Sequence, residues 1–151
     1  MSDPHFKGFE HPLRVDLPTG HHLRPMGPAD TEIDFPAVMG SRERLWAKYG
    51  EAWGWPPAHM TPEMDRDDLQ HHEDEIATGA SYLYGAFDEE ETELFGCVYI
   101  DPPRSEDFDA ESSWWVVDKE AGGPLEQALN EFIPRWLGET WGLQRVDYSL
   151  L

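Results

Sequence analysis

A single cysteine, Cys97, excludes any intrachain disulfide, and the compartment reads as a reducing cytoplasm. It lies in an apolar run from Phe95 to Ile100, so its thiol reads as a small buried hydrophobe rather than a nucleophile. Bases are scarce as well. Eleven Lys and Arg, among them only the lysines Lys7, Lys48 and Lys119, face 31 Asp and Glu, for a net charge of -20 and a pI near 4.4. Such a field repels phosphate backbones and anionic membranes, which removes nucleic acid and membrane surfaces from the expected partners. No stretch approaches the ~20 apolar residues of a membrane span. The opening MSDPHFKGFEHP lacks a basic end followed by an apolar segment, so neither a signal nor an anchor is expected. Also missing are a Gly-x-Ser-x-Gly elbow, a Gly-x-x-x-x-Gly-Lys phosphate loop and a Cys-x-x-Cys pair, and the enzyme classes built on them are set aside.

What is present suits one core. The 151 residues are 39% hydrophobic and include seven tryptophans, ample apolar surface for a single α/β domain. Residues 1–20, rich in Pro and Gly and without periodicity, predict an extended N-terminal arm; residues 21–151 form the domain. His21–Met26 predicts a first strand. A helix broken near Gly40-Ser41 follows to about Tyr49, then the rigid loop Trp53-Gly54-Trp55-Pro56-Pro57. Thr61-Pro62-Glu63 is a capped helix start and Gly79 its stop. Ala80–Phe87 and Leu94–Ile100 predict a hairpin, and Ser112–Val117 a strand buried on both faces. After Gly122-Gly123-Pro124, the residues Leu125, Leu129, Phe132, Ile133, Trp136 and Leu137 recur with the period of an amphipathic helix, and Leu143–Leu151 predicts a last strand.

This order, with SSWWVVDKEAGGPLEQALNEFIPRWL and RVDYSLL as its more specific part, resembles the GNAT acetyltransferase superfamily over roughly residues 21–151. The resemblance implies an α/β (α+β) fold with a central mixed, mostly antiparallel sheet flanked by helices. It implies acetyl-CoA as co-substrate and an amine of a small molecule or peptide as acceptor, a cationic one suiting the acidic surface. By the same resemblance Val116 and Val117 would pair with the pantetheine arm, and backbone amides of Lys119, Ala121, Gly122, Gly123 and Leu125 would face the pyrophosphate. The family pattern of Gln or Arg, two residues, Gly, one residue, Gly or Ala fits in either of two registers. Starting at Lys119 leaves Pro124, which has no N–H, at the second small position; starting at Glu120 puts Leu125 there. Glu111 and Asp118, at the two ends of the tryptophan strand, are the candidate general bases. The family's tyrosine acid has no counterpart on a following helix up to Leu151, and Tyr148 reads as a sheet or core residue.

Three further features stay open between function and plain structure. The turn before the last helix is either a degenerate phosphate loop or a simple helix start. The tryptophan loop and Trp114-Trp115 either wall an acceptor pocket or cover the core. His71 and Glu75 stand one helical turn apart, but His72 points some 100 degrees, roughly, from His71, so no metal site is expected. A non-catalytic GNAT-like binding or interaction module is the alternative to a transferase.

Overall fold

A computed structural model describes residues 4–151; the first three residues of the expected arm lie outside it. The strands β1 (Val15–Asp16), β2 (His22–Pro25), β3 (Tyr82–Phe87), β4 (Leu94–Asp101), β5 (Ala110–Val116) and β6 (Val146–Asp147) form one sheet in chain order. Every neighbouring pair is antiparallel except β5 and β6, which are parallel. The helices α1 (Thr31–Gly40), α2 (Arg42–Trp53) and α3 (Pro62–Thr78) cover one face, and α4 (Pro124–Glu139) the other. Among the described residues no helix is long and apolar enough to cross a membrane.

Alternation along the strands builds the two half-cores. Tyr82, Tyr84, Trp114 and Val116 pack toward α4 with Leu125, Leu129, Ile133 and Leu137, and Phe6 and Leu17 of the arm join them. Leu83, Phe87, Cys97, Tyr99 and Trp115 face Leu45, Tyr49 and Leu69 on the other side. Cys97 is buried there, its Sγ 3.7 Å from Met26 Sδ. Gly96 admits no side chain, because a Cβ would stand 2.3 Å from the Trp115 carbonyl oxygen of the next strand. The sequence breaks fall where expected: Ser41 separates α1 from α2, the Thr61 hydroxyl accepts from the Met64 amide to start α3, and Gly79 ends it at φ 79.

The last strand differs from expectation. Instead of running from 143 to 151 it holds only Val146 and Asp147. Asp109 gathers the amides of Gln144 and Arg145 just before it, and the Asp147 carboxylate accepts from the Ser149 amide just after it, so both flanks bend into side-chain-capped turns.

Between α1 and α3 lies an acid pair. Asp34 and Asp65 are 4% and 1% exposed, share a side-chain hydrogen bond, and leave Asp65 Oδ2 without a partner among the described residues. Burial, then the neighbouring Asp65, pushes Asp34 well above the usual carboxylate range, and burial raises Asp65 too. A folded pKa above the unfolded one gives stability that is full below the unfolded carboxylate value and is lost as pH rises through the folded value. Asp34→Asn therefore leaves stability near pH 4 little changed and raises it measurably at pH 8. Urea unfolding at the two pH values reads the difference; equal effects at both would contradict a shared buried proton.

Candidate active site

Two residue pairs are all that join β5 to β6: Ala110 with Val146 and Glu111 with Asp147. Beyond them the strands part. The Val117 amide donates to Phe95 O on β4, so by alternation the odd residues of this stretch turn their backbone to β4 and the even ones turn away from it. Ser112, Trp114 and Val116 accordingly present backbone to the opening, and Trp114 and Val116 have no strand there to bond. Val117, expected to share that role, gives its amide to β4 instead.

The opening is lined from α2. Lys48 Nζ donates to Trp114 O at 2.7 Å, and Arg44 Nη1 donates to Val116 O and to Asp118 Oδ1, each at 3.0 Å. Burial lowers the Lys48 pKa. Two cavities follow the edge, one of about 370 Å³ that Arg44, Lys48, Trp115 and Glu126 line, and one of about 690 Å³ that Lys48, Arg104 and Ser149–Leu151 line.

Arg104 also borders a third cavity, of about 480 Å³, at the sheet's other end. Gly54, left-handed at φ 62, stops α2 and turns the chain so that Trp53 and Trp55 form one wall with Tyr99. Asp68, His71, His72 and Glu75 of α3 form a second wall, and Asp101 and Glu111, register partners on β4 and β5, form the floor. Glu111 is only 3% exposed and takes a 2.7 Å bond from Arg104 Nε. Burial pushes Asp101 up to about 6, against the Ser81 hydroxyl that donates to it at 2.8 Å and the nearby His72. Burial opposes a charged His72, yet Asp68, Glu75 and Asp101 together hold its pKa above the ordinary value. Four carboxylates and three aromatic rings around one cavity suit a cationic ligand.

Of the expected catalytic pair, Glu111 lies in this cavity while Asp118 sits past the far end of β5, half-exposed and paired with Arg44. The glycine turn is closed on itself. Ala121 N donates to Asp118 O and Gly123 N to Glu120 O, and the Gly122 amide goes to Glu126 Oε1 at 2.9 Å. The side chain of Lys119 reaches to Glu93 across the Phe95 ring, and that of Leu125 is buried in the core beneath α4. Tyr148 packs edge-on against Trp114, where burial raises its pKa. Of the two tryptophan groups, Trp53 and Trp55 wall the cavity, whereas Trp114 and Trp115 are buried on opposite faces of the sheet. Sequence reasoning passed over Asp101, Arg104, Arg44, Lys48 and Glu126. The i, i+4 spacing of Arg44 and Lys48 was their one visible signal.

The fold is that of the GNAT acetyltransferases. Ribosomal-protein-S5-alanine acetyltransferase from Vibrio fischeri superposes with a TM-score of 0.66 at 17% identity, over 89% of this chain and 72% of that one. A GNAT-family acetyltransferase from Bacillus anthracis gives 0.62 at 13%, over 89% and 71%. Spermidine N-acetyltransferase from Vibrio cholerae, solved with CoA and spermine, gives 0.60 at 12%, over 85% and 69%. No family model and no curated protein sequence matches the chain.

The cavity's electrostatics have a direct readout. Carbon-detected NMR of the Asp101 carboxyl is expected to titrate near pH 6, and Ser81→Ala to move that midpoint upward by about half a unit to one unit, since it removes a donor to the ionised form. A downward or absent shift would contradict the assigned hydrogen bond.

Proposed function

We propose that the chain is a GNAT-type N-acyltransferase that moves an acetyl group from acetyl-CoA to an amine of a cationic small molecule or peptide. One observation supports this above others: the unpaired edge of β5 and the acidic, aromatic cavity meet, sharing Arg104, where β5 and β6 part beside Glu111. A donor laid along the edge and an amine held in the cavity would have their reacting ends at one place. The edge fits a pantetheine arm, because Trp114 and Val116 turn backbone N–H groups toward an extended ligand while Lys48 and Arg44 hold their carbonyls.

When bound, acetyl-CoA supplies the acetyl group and a thiolate as leaving group. Asp101, ionised above about 6, pairs with the incoming ammonium. Glu111 accepts the proton that the amine must lose before its lone pair can attack. The Trp114 N–H, on the edge nearest the parting, is the backbone donor placed to stabilise developing negative charge on the carbonyl oxygen. Trp53, Trp55 and Tyr99 exclude water and stack on the acceptor's cationic or apolar parts.

A second reading, a non-catalytic GNAT-like binding module, has its own support in the closed glycine turn, whose Gly122 amide is spent on Glu126. Thiol release from acetyl-CoA, measured across mono-, di- and polyamines, separates the two. The transferase reading expects turnover that favours multiply charged amines and falls by roughly 10² in kcat/KM for Glu111→Gln. It also expects kcat/KM to fall as pH drops through about 6, with Asp101→Asn removing that limb. No thiol release with any amine from folded protein would leave the binding-module reading.

A further inference from the structure

Phosphates need donors, and three of the amides that ought to supply them, those of Ala121, Gly122 and Gly123, already have acceptors within the turn and its helix. Meanwhile two of only eleven bases stand one turn apart on α2 and point into the cleft. Their contacts with Trp114 O and Val116 O do not exhaust them. An ammonium carries three N–H groups and a guanidinium five, so Lys48 and Arg44 keep donors for a ligand while still holding the strand edge. Glu126 supplies the independent sign. It lines the same 370 Å³ cavity as the two bases, lies close enough for its charge to favour the protonated Lys48, and turns its carboxylate to the Gly122 amide.

Resting on the transferase reading, we infer that Arg44 and Lys48 form the phosphate-binding site of this cleft, doing the work of the turn's amides, with the Glu126 carboxylate displaced when the ligand's phosphates enter. The arrangement differs from a glycine phosphate loop in what it recognises. Backbone amides read shape at close approach, whereas two flexible cations read charge and pay for it in salt sensitivity.

Calorimetric titration of CoA, pantetheine and inorganic pyrophosphate into the whole chain tests this. Wild type is expected to bind CoA, and Arg44→Ala and Lys48→Ala each to weaken it by about tenfold, the loss of one charge-assisted hydrogen bond. Pantetheine, without the pyrophosphate, should lose clearly less affinity than CoA in both variants. Lys48→Arg should restore CoA binding, and Glu126→Gln should tighten it severalfold. CoA binding that is unchanged in the double alanine variant would overturn the inference, as would a parallel loss of pantetheine binding. Pyrophosphate bound through Lys48 without any CoA binding would keep the anion site and sink the transferase reading. Binding of neither would sink both.

Discussion

Everything proposed for this chain depends on how soon β5 and β6 separate. Their pairing ends at Glu111 and Asp147, where the Asp147 carboxylate captures the Ser149 amide; at the opposite end Asp109 holds the Gln144 and Arg145 amides and anchors β6. A side chain that satisfies a backbone donor locally removes it from the ladder, so the strand cannot lengthen and zip the cleft shut. The result is an unpaired strand edge buried inside the molecule, an arrangement that must be satisfied by something. Lys48 and Arg44 do so for the two carbonyls.

That constraint orders the charges. In a molecule with nearly three acids for every base, the bases are not spread as surface counter-ions alone; two are spent in the cleft, and Arg104 stands at the junction beside Glu111. Acids collect in the cavity beyond. The charge balance therefore changes along the path, mixed beside α2, where Arg44 and Lys48 stand with Glu126, and predominantly acidic beneath α3. A reaction that joins an anionic donor to a cationic acceptor uses such a gradient directly. Burial of Asp101 and of the Asp34–Asp65 pair shows the accompanying cost, since each must hold its carboxyl in a poorly solvated place.

The helices and the central strands were legible in the sequence because each carried a local signal with a single physical reading. Thr61-Pro62 and Gly79 bounded α3, Gly40-Ser41 split the first helical stretch, and the spacing from Leu125 to Leu137 marked α4. The final strand was not legible, since its apolar pattern, from Leu143 to Leu151, says nothing about Asp109 reaching across from another loop. For the site, Glu111 was identifiable from its place on the tryptophan strand, but its partner Asp101 needed the register of β4 against β5. Counting 100 degrees between His71 and His72 set them on different faces, yet the cavity is broad enough to receive both. The glycine turn read as a candidate anion loop because composition shows which amides could be free, not which have already found acceptors.

The decisive measurement is the amide chemical-shift response of Trp114 and Val116 when acetyl-CoA is added to isotopically labelled protein. Their N–H groups lie on the unpaired edge, and a donor seated in the cleft is predicted to shift both strongly, with Val117, bonded to Phe95 across the sheet, moving far less. Shifts confined to other parts of the molecule, or none at millimolar ligand, would contradict the claim that the parting of β5 and β6 is a donor-binding cleft.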